Sequence, residues 1–204
     1  CGIQHSWGRD RIRSIVLYSQ KRLHVQSFLR YNDIQLLYIY FMEKIIQQFQ
    51  LDNPVLLPEA IKVGIINQSF CLKAAVEGGK SYFLQRINHN IFQDVEGLQN
   101  NIDRVTSHIR QLLTEAGETD VERKVLRVVP TKNGKLYYRT PEGDYWRIYV
   151  LIENALSYER IDAQSAFLAG QAFGNFQCQL ASIDTDTLVE SIPHFHDLAF
   201  RIEQ

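Results

Sequence analysis

Cysteine is scarce in this chain. Cys1, Cys71 and Cys178 stand alone among 204 residues, without the close spacing of a metal site. That pattern excludes a disulfide framework and reads as reduced thiols in a cytoplasmic protein. Long apolar runs are missing as well. No stretch of about 18 apolar residues occurs, so neither a transmembrane helix nor a membrane partner is expected. Charge of one sign is not in excess either, and a net charge of −1 argues against a dedicated nucleic-acid binder. No nucleophile, base and acid fall into a recognisable catalytic set. What is present is 45% apolar residues, enough for a real core in one large domain or two small ones.

Methionine is the scarcest residue of note. Met42 is the only one, and the chain begins with Cys1. Residues 1–41 hold six basic side chains (Arg9, Arg11, Arg13, Lys21, Arg22, Arg30) against Asp10 and Asp33, hence +4, which leaves −5 for the remainder. This stretch has no cap signals and no sustained helical stripe, and its "IQLLYIYF" (34–41) is β-prone. The expectation is that translation starts at Met42 and that 1–41 is a non-native or disordered extension. The plain alternative is a genuine basic arm or a targeting segment; a secretory signal is disfavoured by position and by the lack of a cleavage site.

From Met42 onward the pattern is regular. Residues 43–50 read as a short amphipathic helix with Ile45, Ile46 and Phe49 on one side. Strands are expected at 59–66, 69–76 and 81–87, with a turn at "EGGK" (77–80). Asp94 caps a helix over 95–115, where Leu98, Ile102, Val105, Ile109 and Leu112 recur at helical spacing. Strands at 124–129 and 135–139 flank Asn133-Gly134, a hairpin signal. "YWRIYVLIE" (145–153) reads as a long inner strand. Helix follows over 162–181, and "SIPHFHD" opens another. The predicted class is therefore α+β: an antiparallel sheet with one helix packed on it, over 42–153, then the beginning of a helical lobe over 154–204. Kinase-like phosphotransferases are built in this way.

Six stretches, in this order, carry a resemblance: "GIINQSFCLKA", "YFLQRINHNIF", "VEGLQNNIDRVTSHIRQLL", "GDYWRIYVLIENALSYE", "AFGNFQCQLA" and "IPHFHD". Over 43–204 the chain resembles the aminoglycoside phosphotransferase and choline kinase-like family, and within it the N-acetylhexosamine 1-kinase, mucin-desulfatase-like branch. The resemblance implies an ATP- and Mg²⁺-dependent kinase acting on a hydroxyl of a small acceptor, with an amino sugar as the expected substrate. Choline, homoserine and aminoglycoside acceptors are the alternatives within the family. The family's catalytic loop, H-x-D-x-x-x-x-N, does not occur in this chain. The catalytic base and metal aspartate are expected beyond residue 204, and the chain as given is expected to be inactive.

The resemblance also assigns residues. The loop from Gly64 through Asn67 to Ser69 would cover the nucleotide phosphates with backbone N–H groups and a hydroxyl; the plain alternative is a hairpin turn. Phosphoryl transfer also needs a donor at the end of the third strand, and Gln85 and Arg86 compete for it. Alternation lets only one face the cleft. Arg86 has the charge and the fork and is favoured, while Gln85 occupies the position of the family's strand lysine. Asp103, ahead of Glu96, would orient that donor from the helix. Leu151, Ile152 and Glu153 mark the connection that reads adenine through its backbone, with Val63, Leu84 and Leu151 as the apolar sandwich. His194, His196 and Asp197 are too closely spaced for a zinc site and read as structural or near the acceptor. From a different class, a non-catalytic nucleotide-binding or interaction module is the competing function.

Overall fold

A computed structural model describes residues 31–62, 64–155 and 160–203. Of the expected N-terminal extension, residues 1–30 therefore lie outside the description, as does Val63. The chain divides between Gln47 and Gln48 into two units.

In the first unit, helix α1 spans Tyr31–Ile46. Met42 and Ile45 are fully buried, and Ile34, Tyr38, Ile39, Phe41 and Ile46 are half-buried. Ile34, Tyr38, Phe41 and Ile45 recur at steps of four, three and four, a helical stripe. Asp33 in the first turn and Lys44 in the last suit the helix dipole. This corrects two expectations. "IQLLYIYF" is helix rather than β-prone coil, and the boundary drawn at Met42 falls inside an element.

The second unit is built on one antiparallel sheet. Strands β1 (Glu59–Ile61), β2 (Gln68–Leu72) and β3 (Tyr82–Ile87) form a meander, and β3 pairs next with β6 (Tyr145–Val150). The far edge of β6 is shared by two short strands, β4 (Val128–Val129) opposite Ile148 and Tyr149, and β5 (Tyr138–Arg139) opposite Tyr145 and Trp146. The expected hairpin thus resolves differently. The turn at Asn133-Gly134 exists, with Gly134 at φ +79 and its N–H bonded to Thr131 O at 2.8 Å. Beyond the backbone bond from Thr131 N–H to Lys135 O at 2.7 Å, however, its arms pair with β6 rather than with each other. Residues 121–124, placed ahead of the expected strand, form a one-turn helix, α3 (Val121–Lys124).

Helix α2 (Val95–Glu115) begins where Asp94 Oδ1 accepts from the Gly97 N–H at 2.8 Å. It lies on one face of the sheet, where Val95 and Leu98 pack with Ile87, Phe92, Ile102, Tyr137 and Tyr145. The opposite face carries Leu72, Leu84 and Ile148, all fully buried, and Phe70 beside Trp146. After β6 come α4 (Ala163–Leu180), a 3₁₀ turn at Thr185–Thr187 and α5 (Leu198–Ile202). Asp162 caps α4 through a reciprocal pair of bonds with Ser165. No helix among the described residues is long and apolar enough to cross a membrane.

Candidate functional site

Strand register sets which of Gln85 and Arg86 faces the helix. Ser69 of β2, Gln85 of β3 and Arg147 of β6 are direct cross-strand neighbours, so their side chains share a face. That face is the one beneath α2, because Ile87 and Tyr145, which lie on it by alternation, pack against Val95 and Leu98. Arg86, one residue on, points to the opposite side and pairs with Asp144 at 2.5 Å. Asp144 is in turn tied to Thr140, its N–H donating to Thr140 Oγ1 at 3.2 Å. Arg86, favoured from the sequence for the phosphate role, is occupied in an ion pair at the strand end. Gln85 holds the helix-facing position.

The three neighbours are bonded into a row. Gln85 Nε2 donates to Ser69 Oγ at 3.0 Å. Arg147 donates from Nε and Nη2 to Gln85 Oε1 at 3.0 and 2.9 Å. From above, α2 lowers Gln99 onto the row, and Arg147 Nη1 donates to Gln99 Oε1 at 3.4 Å. The guanidinium also lies 5.0 Å from the Tyr149 ring centroid. Ser69 and Arg147 are buried at 6% and 8% exposure, and Gln99 is fully buried. Gln85 is half-buried and is where the row meets solvent. Burial lowers the Arg147 pKa from its ordinary value, and it pushes the Tyr149 phenol up to about 12 against the opposing pull of Arg147.

Two of these residues, Arg147 and Gln99, were not anticipated. A signal existed for Arg147. It sits in "YWRIYV" with Tyr145 and Tyr149 two residues either side, so alternation puts all three on one face of an inner strand. Gln99 left no such trace, since a glutamine in a helix reads as solvated.

The other expected positions distribute as follows. Gly64 has φ +121, a conformation that suits glycine, at the base of an exposed loop whose tip is Ile65. Asn67 does not face that loop's interior; its Oδ1 accepts from the Asn88 N–H at 2.9 Å and anchors the end of β3. Asp103 is not joined to the row. It lines a groove of about 550 Å³ along α2 with Asn100, Arg104, Ser107 and Val189. Glu96 is exposed, within 3.5 Å of the Tyr137 hydroxyl. Leu84 is in the core of the opposite face and shares no surface with Gln85. Beside Gln85 on its own face lie Cys71, Phe83 and Tyr149, one cross-strand row further along.

The connection after β6 is partly committed. The Leu151 N–H extends the ladder to Ser81 O at 2.9 Å. Glu153 Oε1 accepts from Ser81 Oγ at 2.8 Å, and its carbonyl accepts from Arg123 Nη1 at 2.8 Å. Ile152 is half-buried between them. His194 Nδ1 lies 3.1 Å from Asp197 Oδ2, and His196 packs edge-on to Phe195. Among the described residues no three metal-binding side chains come together. Cys178 is exposed on α4. No protein-family model matches the chain.

Proposed function

We propose that the second unit is the nucleotide-binding lobe of an ATP-dependent small-molecule phosphotransferase acting on a sugar hydroxyl, an N-acetylhexosamine above other acceptors. The observation that carries this is the row Ser69–Gln85–Arg147 on the helix-covered face, at the foot of the loop from Gly64. A nucleotide triphosphate needs neutral donors and one cation where its phosphates lie. The row offers a hydroxyl, an amide and a guanidinium in register across three strands.

In this reading the base lies toward Phe83 and the connection at Leu151 and Ile152, since Leu84 faces away. Glu153 helps to hold that connection through Ser81 rather than touching the base. Gln85 is the third-strand donor. Mg²⁺ would neutralise phosphate charge when bound; the described residues form no cluster to hold it, so these positions are assigned to the nucleotide alone.

Isothermal titration with ATP and with ADP tests the proposal. Saturable binding by both, weakened at least tenfold by Gln85→Ala and unchanged by Arg86→Ala, is the expected result. No heat of binding at millimolar nucleotide would overturn it.

One observation favours the competing interaction module. Helix α4 has no charged residue over 18 positions, and none of its side chains is buried. In that case nucleotide would not bind, and the apolar helix would be the functional surface.

A further inference from the structure

Arg147 is a buried cation whose partners are all neutral. It is 8% exposed, and among the described residues no carboxylate pairs with it. Amide oxygens supply partial charge where a desolvated guanidinium calls for a full one. Taking such a group out of water is costly unless opposite charge pairs with it. Stability of the sheet is therefore not a sufficient reason for an arginine at this position.

The groups around it are donors in search of an acceptor. Gln99 Nε2 is fully buried and has no hydrogen-bond partner. Its amide cannot turn to relieve this, because Oε1 is held by Arg147, which only donates. Ser69 Oγ already accepts from Gln85, which leaves its own proton to give. Gln85 Nε2 keeps a second hydrogen. An oxygen-rich anion matches this inventory; a cation or a neutral donor does not.

The geometry points to an oxyanion-binding site in which Arg147 is the cation, and Ser69 and Gln85 are the neutral donors at its solvent-facing end. A phosphate or carboxylate oxygen enters at Gln85 and joins or displaces Gln85 Oε1 as the acceptor for the guanidinium. The direction of the Arg147 pKa agrees, since burial outweighs the opposing pull of Tyr149, the one group set against it. The site deepens the nucleotide reading and rests on the same row, and the arms of the test separate failure of the one from failure of the other.

The test follows the thermal midpoint of the whole chain in inorganic phosphate, inorganic tripolyphosphate, acetate, ATP and adenosine. Potassium chloride at matched ionic strength is the control. A hundredfold excess over Kd should raise the midpoint by about 5–10 °C for a chain of this size. Arg147→Met removes the buried charge but orphans Gln99 Oε1, so its midpoint should fall by a few degrees while the anion-specific rise is lost. Arg147→Lys should keep the fold and bind at least tenfold more weakly, because the charge survives without the fork. It also serves if the methionine variant fails to fold. A rise in the wild type no larger than in chloride, or one that persists in Arg147→Met, overturns the site. Acetate matching phosphate would identify a carboxylate as its ligand. If tripolyphosphate and ATP act equally and adenosine does nothing, the site stands and the nucleotide proposal falls. If the ATP effect survives Arg147→Met, this site falls and the nucleotide is held elsewhere than on this row.

Discussion

At the scale of single residues, neighbours in one strand have unlike fates. Arg86 and Asp144 form a half-covered ion pair, with side-chain exposures of 32% and 13%. Arg86→Ala should cost about 1–2 kcal/mol in urea unfolding, a discounted figure because the arginine remains partly solvated. An unchanged midpoint would show the pair to be energetically idle. Tyr149 makes a second case. Its phenol titrates near 12 when folded and near 10.0 when not, because burial disfavours the phenolate. The unfolded chain therefore releases this proton first as pH rises. The stabilisation is complete below pH 10 and is lost between pH 10 and about 12, a change of about 2–3 kcal/mol. Tyr149→Phe keeps the ring under Arg147 and removes the hydroxyl. Its stability should fall less steeply than that of the wild type over this interval in urea melts at stepped pH, and parallel curves would refute the assignment.

At the scale of elements, α2 owes its position to two small devices. A Cβ built on Gly97 would collide with Asp94 Oδ2 and Val189 Cγ2, so a side chain there would force the cap and the 187–191 segment apart. One turn further on, Asn101 bonds the Val189 backbone both ways, Nδ2 to its carbonyl at 2.7 Å and Oδ1 from its N–H at 3.0 Å. Gly97→Ala should destabilise by about 1–3 kcal/mol although alanine is the better helix former, because the clash outweighs the gain in propensity. A stabilised variant in thermal unfolding would contradict this. Elements of this kind were also the most legible in the sequence. The α2 start at Asp94, its apolar spacing and the turn at Asn133-Gly134 carry local signals that tertiary contacts did not override. The partners of β4 and β5 were not legible, since nothing in two-residue strands says which edge they join. Nor was the face of Gln85, for alternation sets neighbours apart without saying which side the helix will cover. Helix α1 was lost to a boundary placed on a methionine.

At the scale of the molecule, one surface stands out. Phe167 and Phe173 on α4 are 66% and 64% exposed, with Leu168 and Phe176 nearby on the same uncharged helix. Such a patch invites dye binding and self-association. The double change Phe167→Ser, Phe173→Ser should reduce the fluorescence of a hydrophobic dye severalfold while leaving the unfolding midpoint within a degree or two; equal fluorescence would mean the patch is covered in solution. Removing residues 1–41 would leave α1 only positions 42–46, too short to hold a helix alone. The truncated chain should lose the helical signal of α1 by circular dichroism and expose Met42 and Ile45, and a spectrum with that signal retained would show the segment dispensable. The order of the sheet has a further consequence, in time rather than in space. β6 is the last strand to be synthesised, yet it sits between β3 and the β4–β5 edge. During translation β1, β2 and β3 can assemble, but the free edge of β3 waits for residues almost 60 positions downstream. Through that interval an unpaired strand edge is open to any neighbouring nascent chain. The helix that follows at once, α2, emerges before β6 and covers one face of the sheet, but not its open edge.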